Sequence, residues 1–178
     1  IQKLLLAMFL LNLAFAGLQS NFPLYSNFRF QWNPTQNGYF YLYVGVCAVF
    51  IQGFLFGKLQ PRFGEKRLTI FGLTLMAIGL AFMAFAPQAW ILFPAVTIVA
   101  LGTGTSIPSL TALVSLRVSE SEQGRLMGGT QTLLALTNIF GPIIAGISFE
   151  LINFSSPYWI GSLFAIFALM IAYIGLRK

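Results

Sequence analysis

Apolar residues run through this chain in six long blocks, about residues 4–28, 36–58, 68–86, 89–113, 126–149 and 157–176, and polar positions gather between them. A hydrocarbon core of about 30 Å takes roughly 20 helical residues at 1.5 Å each, so every block can cross a membrane as a helix. Polar residues inside the blocks keep helical rather than strand spacing. Asn12, Gln19 and Ser26 recur every seven residues in the first block, as do Gly38, Gly45 and Gln52 in the second. Each set falls on one face of a helix. In the fifth block Gly128, Gln131, Ala135, Asn138 and Pro142 form a narrow stripe, and the fourth carries Gly102-Thr103-Gly104-Thr105-Ser106 and then Pro108-Ser109. The third and sixth have nothing comparable, with Thr69 and Thr74 on one and Ser162 and terminal tyrosines on the other.

The expected fold is an all-α integral membrane protein, one bundle of six transmembrane helices over residues 1–178. Because every third helix is poor in polar residues, the chain divides into two triplets, 1–86 and 89–178, as nested three-helix repeats of transporters do. Four helices then have a polar side to hide, and two can face lipid. Each polar or small residue has two readings: interhelical packing and hydrogen bonding, or a wall of a path for water or substrate. Packing alone would not spare every third helix, so the set Asn12, Gln19, Gln52, Thr105, Ser109, Gln131 and Asn138 is read as candidate lining of a cavity. Pro108 and the group Gly141, Pro142 and Gly146 are read either as kinks or close contacts or as a gate, since proline removes a backbone hydrogen bond.

The connectors are short, and one is densely basic. Gly57-Lys58-Leu59-Gln60-Pro61-Arg62-Phe63-Gly64-Glu65-Lys66-Arg67 holds four of the ten Lys and Arg residues. It is expected to be a short, stiff loop in which Gly57 lets a helix end against a close neighbour, Pro61 stops that helix and Gly64 turns the chain. Basic loops stay on the cytoplasmic side. That placement puts Lys3, Lys58, Arg62, Lys66, Arg67, Arg117, Arg125, Arg177 and Lys178 in the cytoplasm and leaves Arg29 alone outside. Both termini are then cytoplasmic, Trp32 and Trp90 sit at the outer interface, and the expected setting is a bacterial-type inner or plasma membrane.

Composition removes several alternatives. With 57% hydrophobic and 8% charged residues the chain lies far from the roughly 25% charged residues of soluble domains. The net charge of +6 does not read as a nucleic-acid footprint, because the cations stand at the ends of apolar runs rather than on one solvated face. Histidine and aspartate are absent, which removes His-based triads, His metal sites and paired aspartates. No catalytic residue, metal or cofactor is expected. Cys47 is the single cysteine, so no intrachain disulfide can form. Lys3 with Ala14-Phe15-Ala16 imitates a signal peptide, whose removal would leave five crossings of the same orientation. The lack of an initiator Met is read as a sign that residue 1 is not a native start.

The loop motif Gly57-x-Leu59-x-x-Arg62-x-Gly64-x-Lys66-Arg67 resembles the cytoplasmic-loop signature of the major facilitator superfamily, in the copy carried by its C-terminal half. The resemblance is closer to the tetracycline-resistance type of drug/proton antiporter. It rests also on Arg29-Phe30-x-Trp32-Asn33, Gln52, Pro108-Ser109-Leu110, Gln123-Gly124-x-Leu126-x-Gly128, Leu136-Thr137-Asn138 and Gly141-Pro142, in order along nearly the whole chain. The resemblance implies the C-terminal half of a twelve-helix carrier. Its missing partner would be an N-terminal six-helix half, its surroundings the lipid bilayer and its cargo a small organic molecule. It implies alternating access, proton-coupled export, and basic loop residues that latch the half interface, alongside the plain reading of those cations as topology signals. Where some tetracycline exporters carry a histidine and an acid in the second and third helices of this half, this chain is apolar, near Ala48 and Met76. That departure puts tetracycline in doubt and moves any proton-carrying group into the other half. A non-transporting six-helix scaffold and a half-size transporter acting as a homodimer are the alternatives.

Overall fold

The computed structural model describes residues 1–177; Lys178, one of the cations expected on the cytoplasmic side, lies outside them. Helix α1 spans Gln2–Phe30, α2 Pro34–Phe50, α3 Phe56–Ala84, α4 Leu92–Ser115, α5 Gln123–Leu151 and α6 Ser156–Leu176. A π turn, Ile51–Leu55, joins α2 to α3 without a gap. Five helical stretches are long and apolar enough to cross a membrane, and the second is the whole of Pro34–Ala84.

Spacing explains what each helix buries. Leu4, Ala7, Leu11, Ala14, Leu18, Phe22 and Tyr25 of α1 stand three or four residues apart and are all buried. In α6 the same spacing brings small residues inward, Gly161, Ala165, Ala168, Ala172 and Gly175, so its backbone approaches its neighbours closely. Helix α2 begins in a capping box: Gln36 N donates to Asn33 Oδ1 and Asn33 N to Gln36 Oε1, both at 2.9 Å. Gln31, with φ 59°, ends α1 in the left-handed conformation and aims the chain back into α2.

Helices α1, α3, α4 and α6 make the packed centre. Helix α6 lies on α1 and α3, α3 lies on α4, and α5 rests on α1, while α2 touches α4. The α3–α4 contact is made by glycines: a Cβ on Gly72 would stand 2.6 Å from the Gly102 carbonyl oxygen, and one on Gly102 would stand 2.6 Å from Met76 N. The outer faces of α3 and α6 carry exposed Phe71, Ile78 and Phe82, and Leu163, Phe167 and Met170. Helix α2 buries only Asn37 and Phe40, so α2 and α5 flank the centre rather than join it.

The basic segment differs from expectation. Residues 57–67 are helical, not an irregular loop, and the one break is Gly64, with φ 71° and ψ 162°. Pro61 does not stop the helix; it lies within α3. Nothing stands within 4 Å of a Cβ built on Gly57, so no helix ends against a neighbour there. The turn therefore rests on Gly64 alone, in a backbone region that only glycine enters freely. Leu55, Leu59 and Phe63 before it and Arg67, Leu68 and Phe71 after it line one groove, so the two arms form an elbow.

Candidate functional site

Two hollows meet at Gln19 of α1 and Tyr41 of α2. One, of about 80 Å³, lies between α1, α2 and α4, where Phe15, Phe22, Phe40, Ala48, Gln52 and Thr103 are among its walls. The other, of about 360 Å³, is lined by Ala16, Gln19, Ser20, Tyr41, Asn138 and Pro142 of α1, α2 and α5. The Tyr41 hydroxyl donates to the Gln19 carbonyl at 3.0 Å, which pins the ring as the partition between them. Neither lining contains a charged side chain. What the walls offer is amides, hydroxyls and ring faces.

The aromatic side is built by local packing. Phe22 stacks on Phe40 at 4.1 Å between ring centroids and meets Tyr41 edge-on at 5.7 Å. Trp32 is buried in this cluster, 6.1 Å from Phe22 and 5.7 Å from Phe40. Trp90 is the exposed one, with its indole N–H donating to Gln88 Oε1. Two hydroxyl bonds tie the start of α2 to its neighbours: Ser26 Oγ donates to Asn37 Oδ1 at 2.7 Å, and Tyr43 and Thr97 share a bond of 2.7 Å. Beyond them the π turn brings Ile51 against α4, where a Cβ on Gly104 would stand 2.6 Å from Ile51 Cγ2. Gln52 follows directly, and π turns are frequent at functional sites.

Of the residues singled out by sequence, the structure brings Gln19 and Asn138 to one hollow and Gln19 and Gln52 to the other. Gln131 is exposed one heptad before Asn138 on α5 and lines neither. Asn12 is buried and donates to Met8 O at 2.7 Å, within its own helix. Thr105 is spent likewise on Leu101 O at 2.7 Å, and the buried Ser109 hydroxyl has no partner among the described residues. Pro108 and Pro142 sit in unbroken helices. Gly141 presses on α1, where its Cβ would stand 2.7 Å from Ala16 Cβ, and Gly146 faces open space. Tyr41 and Ser20 were not singled out, and Thr103 stood only within the polar stretch of the fourth block. Tyr41 lies between Gly38 and Gly45 on the stripe already read, but counting by polarity puts a tyrosine with the apolar residues.

Comparison with known proteins gives a consistent pattern. Residues 4–178 match the Major Facilitator Superfamily. Tetracycline resistance protein, class G, of Vibrio anguillarum is 37% identical over 120 residues, which is 67% of this chain and 30% of that protein. Multidrug resistance protein 2 of Bacillus subtilis (strain 168) is 33% identical over 164 residues, 92% of this chain and 39% of that protein. The chain thus spans about a third of the length of the curated relatives it matches. Among solved structures, the human organic anion transporter MFSD10 (TETRAN) superposes with a TM-score of 0.89 at 22% identity, covering 96% of this chain and 40% of that one.

Proposed function

Since this chain belongs to the Major Facilitator Superfamily and is a multi-pass membrane protein, we propose that it forms the C-terminal half of a secondary active transporter. It exports small amphipathic organic molecules by alternating access, in exchange for protons, and it is not an enzyme. The observation that carries this reading is the surface left open on α2 and α5. A Cβ on Gly38, Gly45, Gly53, Gly128, Gly129 or Gly146 would meet nothing within 4 Å, whereas Gly72, Gly79, Gly102 and Gly141 are pressed against neighbours. Small residues in membrane helices serve close backbone approach. An open row of them on two flanking helices fits a second body, here the N-terminal six-helix half. The amides of Gln52, Gln131 and Asn138 lie among those glycines and would face the cleft between the halves.

The elbow supports a count of six crossings. A straight helix of 51 residues would reach about 75 Å, more than twice the hydrocarbon thickness. Bending at Gly64 turns it into two crossings joined on the cytoplasmic side, with both termini on that side too. The two-triplet reading is supported by the packing: exchanging residues 1–86 with 89–178 carries the α1–α6 contact onto α4–α3, α1–α5 onto α4–α2, and α3–α6 onto itself. Two arginines repeat the pattern. Arg29, at the end of the first helix, donates to Ala86 O at the end of the third, with bonds of 2.9 and 2.6 Å. Arg117, at the end of the fourth, donates to Gly175 O at the end of the sixth, at 3.1 Å. In inverted repeats these two ties lie at opposite membrane faces.

Neutral walls bind the cargo through rings and amides, so the proton-carrying group belongs to the other half. The test is pH-gradient-driven efflux by the protein carrying this chain, compared with Asn138→Ala and Gln52→Ala. Losing an amide contact to the cargo of about 1–3 kcal/mol lowers transport of a limiting substrate roughly five- to hundredfold. Unchanged transport in both variants, at equal expression, would overturn the site.

A further inference from the structure

We propose that the elbow at Gly64 holds an anionic phospholipid, one acyl chain in the groove between the arms and the phosphate on Arg67. This rests on the membrane setting, not on the transport reading. The groove has a volume of about 500 Å³ and is walled by Leu55, Leu59, Phe63, Leu68, Phe71 and Leu101, with Thr105 and Arg67 as the polar members. That volume lies within the range of roughly 300–1,000 Å³ seen for ligand pockets. Thr105 already donates to Leu101 O at 2.7 Å, so the wall has no hydrogen bond to give. Only the mouth does.

At the mouth the charge is one-sided. Lys58, Arg62, Lys66 and Arg67 are all exposed, and Lys58 Nζ is held 4.0 Å from the Phe54 ring centroid. The one carboxylate among them, Glu65, accepts from Gln60 Nε2 at 2.9 Å. Arg67 has no hydrogen-bond acceptor among the described residues, and a guanidinium recognises phosphate oxygens in bidentate fashion. From Phe63 to Leu55 the groove follows about 12 Å of helix, most of the depth of one leaflet of about 15 Å. A long apolar wall with a cationic end matches a molecule with an acyl body and an anionic head. A water-soluble ligand would find no polar partner inside, and an extended peptide would leave its backbone unbonded there. The anionic lipid of the cytoplasmic leaflet is the available molecule of this kind.

Native mass spectrometry of the purified full-length protein that carries this chain, with phosphatidylglycerol or phosphatidylcholine added, reads the proposal directly. Phosphatidylglycerol is expected to be retained about tenfold more strongly than phosphatidylcholine, the effect of one charge-assisted contact. Arg67→Gln, at an exposed position and with helicity checked by circular dichroism, should bring the two lipids level. Leu59→Trp should lower both, and Arg125→Gln neither. Equal retention of the two lipids by the unaltered protein would overturn the proposal, as would an equal effect of Arg125→Gln, which signals general surface charge. Full competition by inorganic phosphate would mean an anion site without a lipid. A photo-crosslinker at position 63 should capture lipid in native membranes; capture of polypeptide instead would assign the groove to another protein segment.

Discussion

Gly102 and Gly128 are the same residue in two helices, and their surroundings give them opposite tolerance. A methyl group on Gly102 would stand 2.6 Å from Met76 N and 2.7 Å from Gly72 O, backbone atoms that cannot rotate away. Gly102→Ala should therefore lower resistance to denaturation by about 1–3 kcal/mol, the usual cost of overpacking. Gly128→Ala meets open space and should change the stability of this chain by less than about 0.5 kcal/mol. Denaturant titration of both variants in detergent makes the comparison. The arginine ties give a second contrast. Arg29 makes two bonds to Ala86 O and lies over Phe154 at 4.9 Å, whereas Arg117 makes one longer bond to Gly175 O. Arg29→Gln should cost about 1.5–3 kcal/mol and Arg117→Gln less, read by the same titration. At this scale the sequence was only half legible. Spacing places Asn12 and Asn138 on helical stripes, but it does not say that Asn12 spends its amide on Met8 O while Asn138 lines an open hollow. Neighbouring helices decide that, and their positions are not written in the period.

Among the elements, the elbow is where the local rules compete. Pro61 and Gly64 both announce a helix end, yet only Gly64 breaks the helix; the rest of residues 57–67 keeps helical geometry. Proline removes a backbone bond and kinks a helix without always ending it, and membrane helices tolerate it, whereas φ 71° with ψ 162° needs glycine. Gly64→Val should cost about 1–3 kcal/mol through backbone strain and lower the thermal midpoint, while Pro61→Ala should leave the midpoint unchanged or raise it. Both are read by thermal scans of detergent-solubilised protein. Long apolar runs made the helices easy to read, whereas the capping box of Asn33 and Gln36 at the start of α2 shows only in the structure. The π turn at Ile51–Leu55 had no such signal. It arises where Ile51 meets Gly104, a contact between segments far apart in sequence.

For the whole molecule, the account depends on α2 and α5 being walls of a cleft rather than lipid-facing posts. Their outer residues include apolar Val46, Val49, Ile143 and Ile147, which suit lipid, alongside the open glycines and amides that suit a second polypeptide and a cavity. The loop motif together with the other motifs in order along the chain was enough to anticipate the family. It was not enough to find Tyr41, whose place between the hollows follows from its edge-on ring contact with Phe22 and the bond to Gln19 O at 3.0 Å. Tyr41→Phe should loosen this partition and weaken substrate retention about two- to tenfold, one neutral hydrogen bond's worth, as measured by equilibrium binding. The most direct test of the cleft is aqueous thiol labelling in native membranes, with Cys47 replaced by serine and single cysteines placed at positions 12, 52, 71 and 138. The account predicts that 52 and 138 react with a membrane-impermeant reagent and are protected by transported substrate, while 12, inside the bundle, and 71, on the outer face, stay unlabelled. Positions 52 and 138 unreactive in every condition would contradict it.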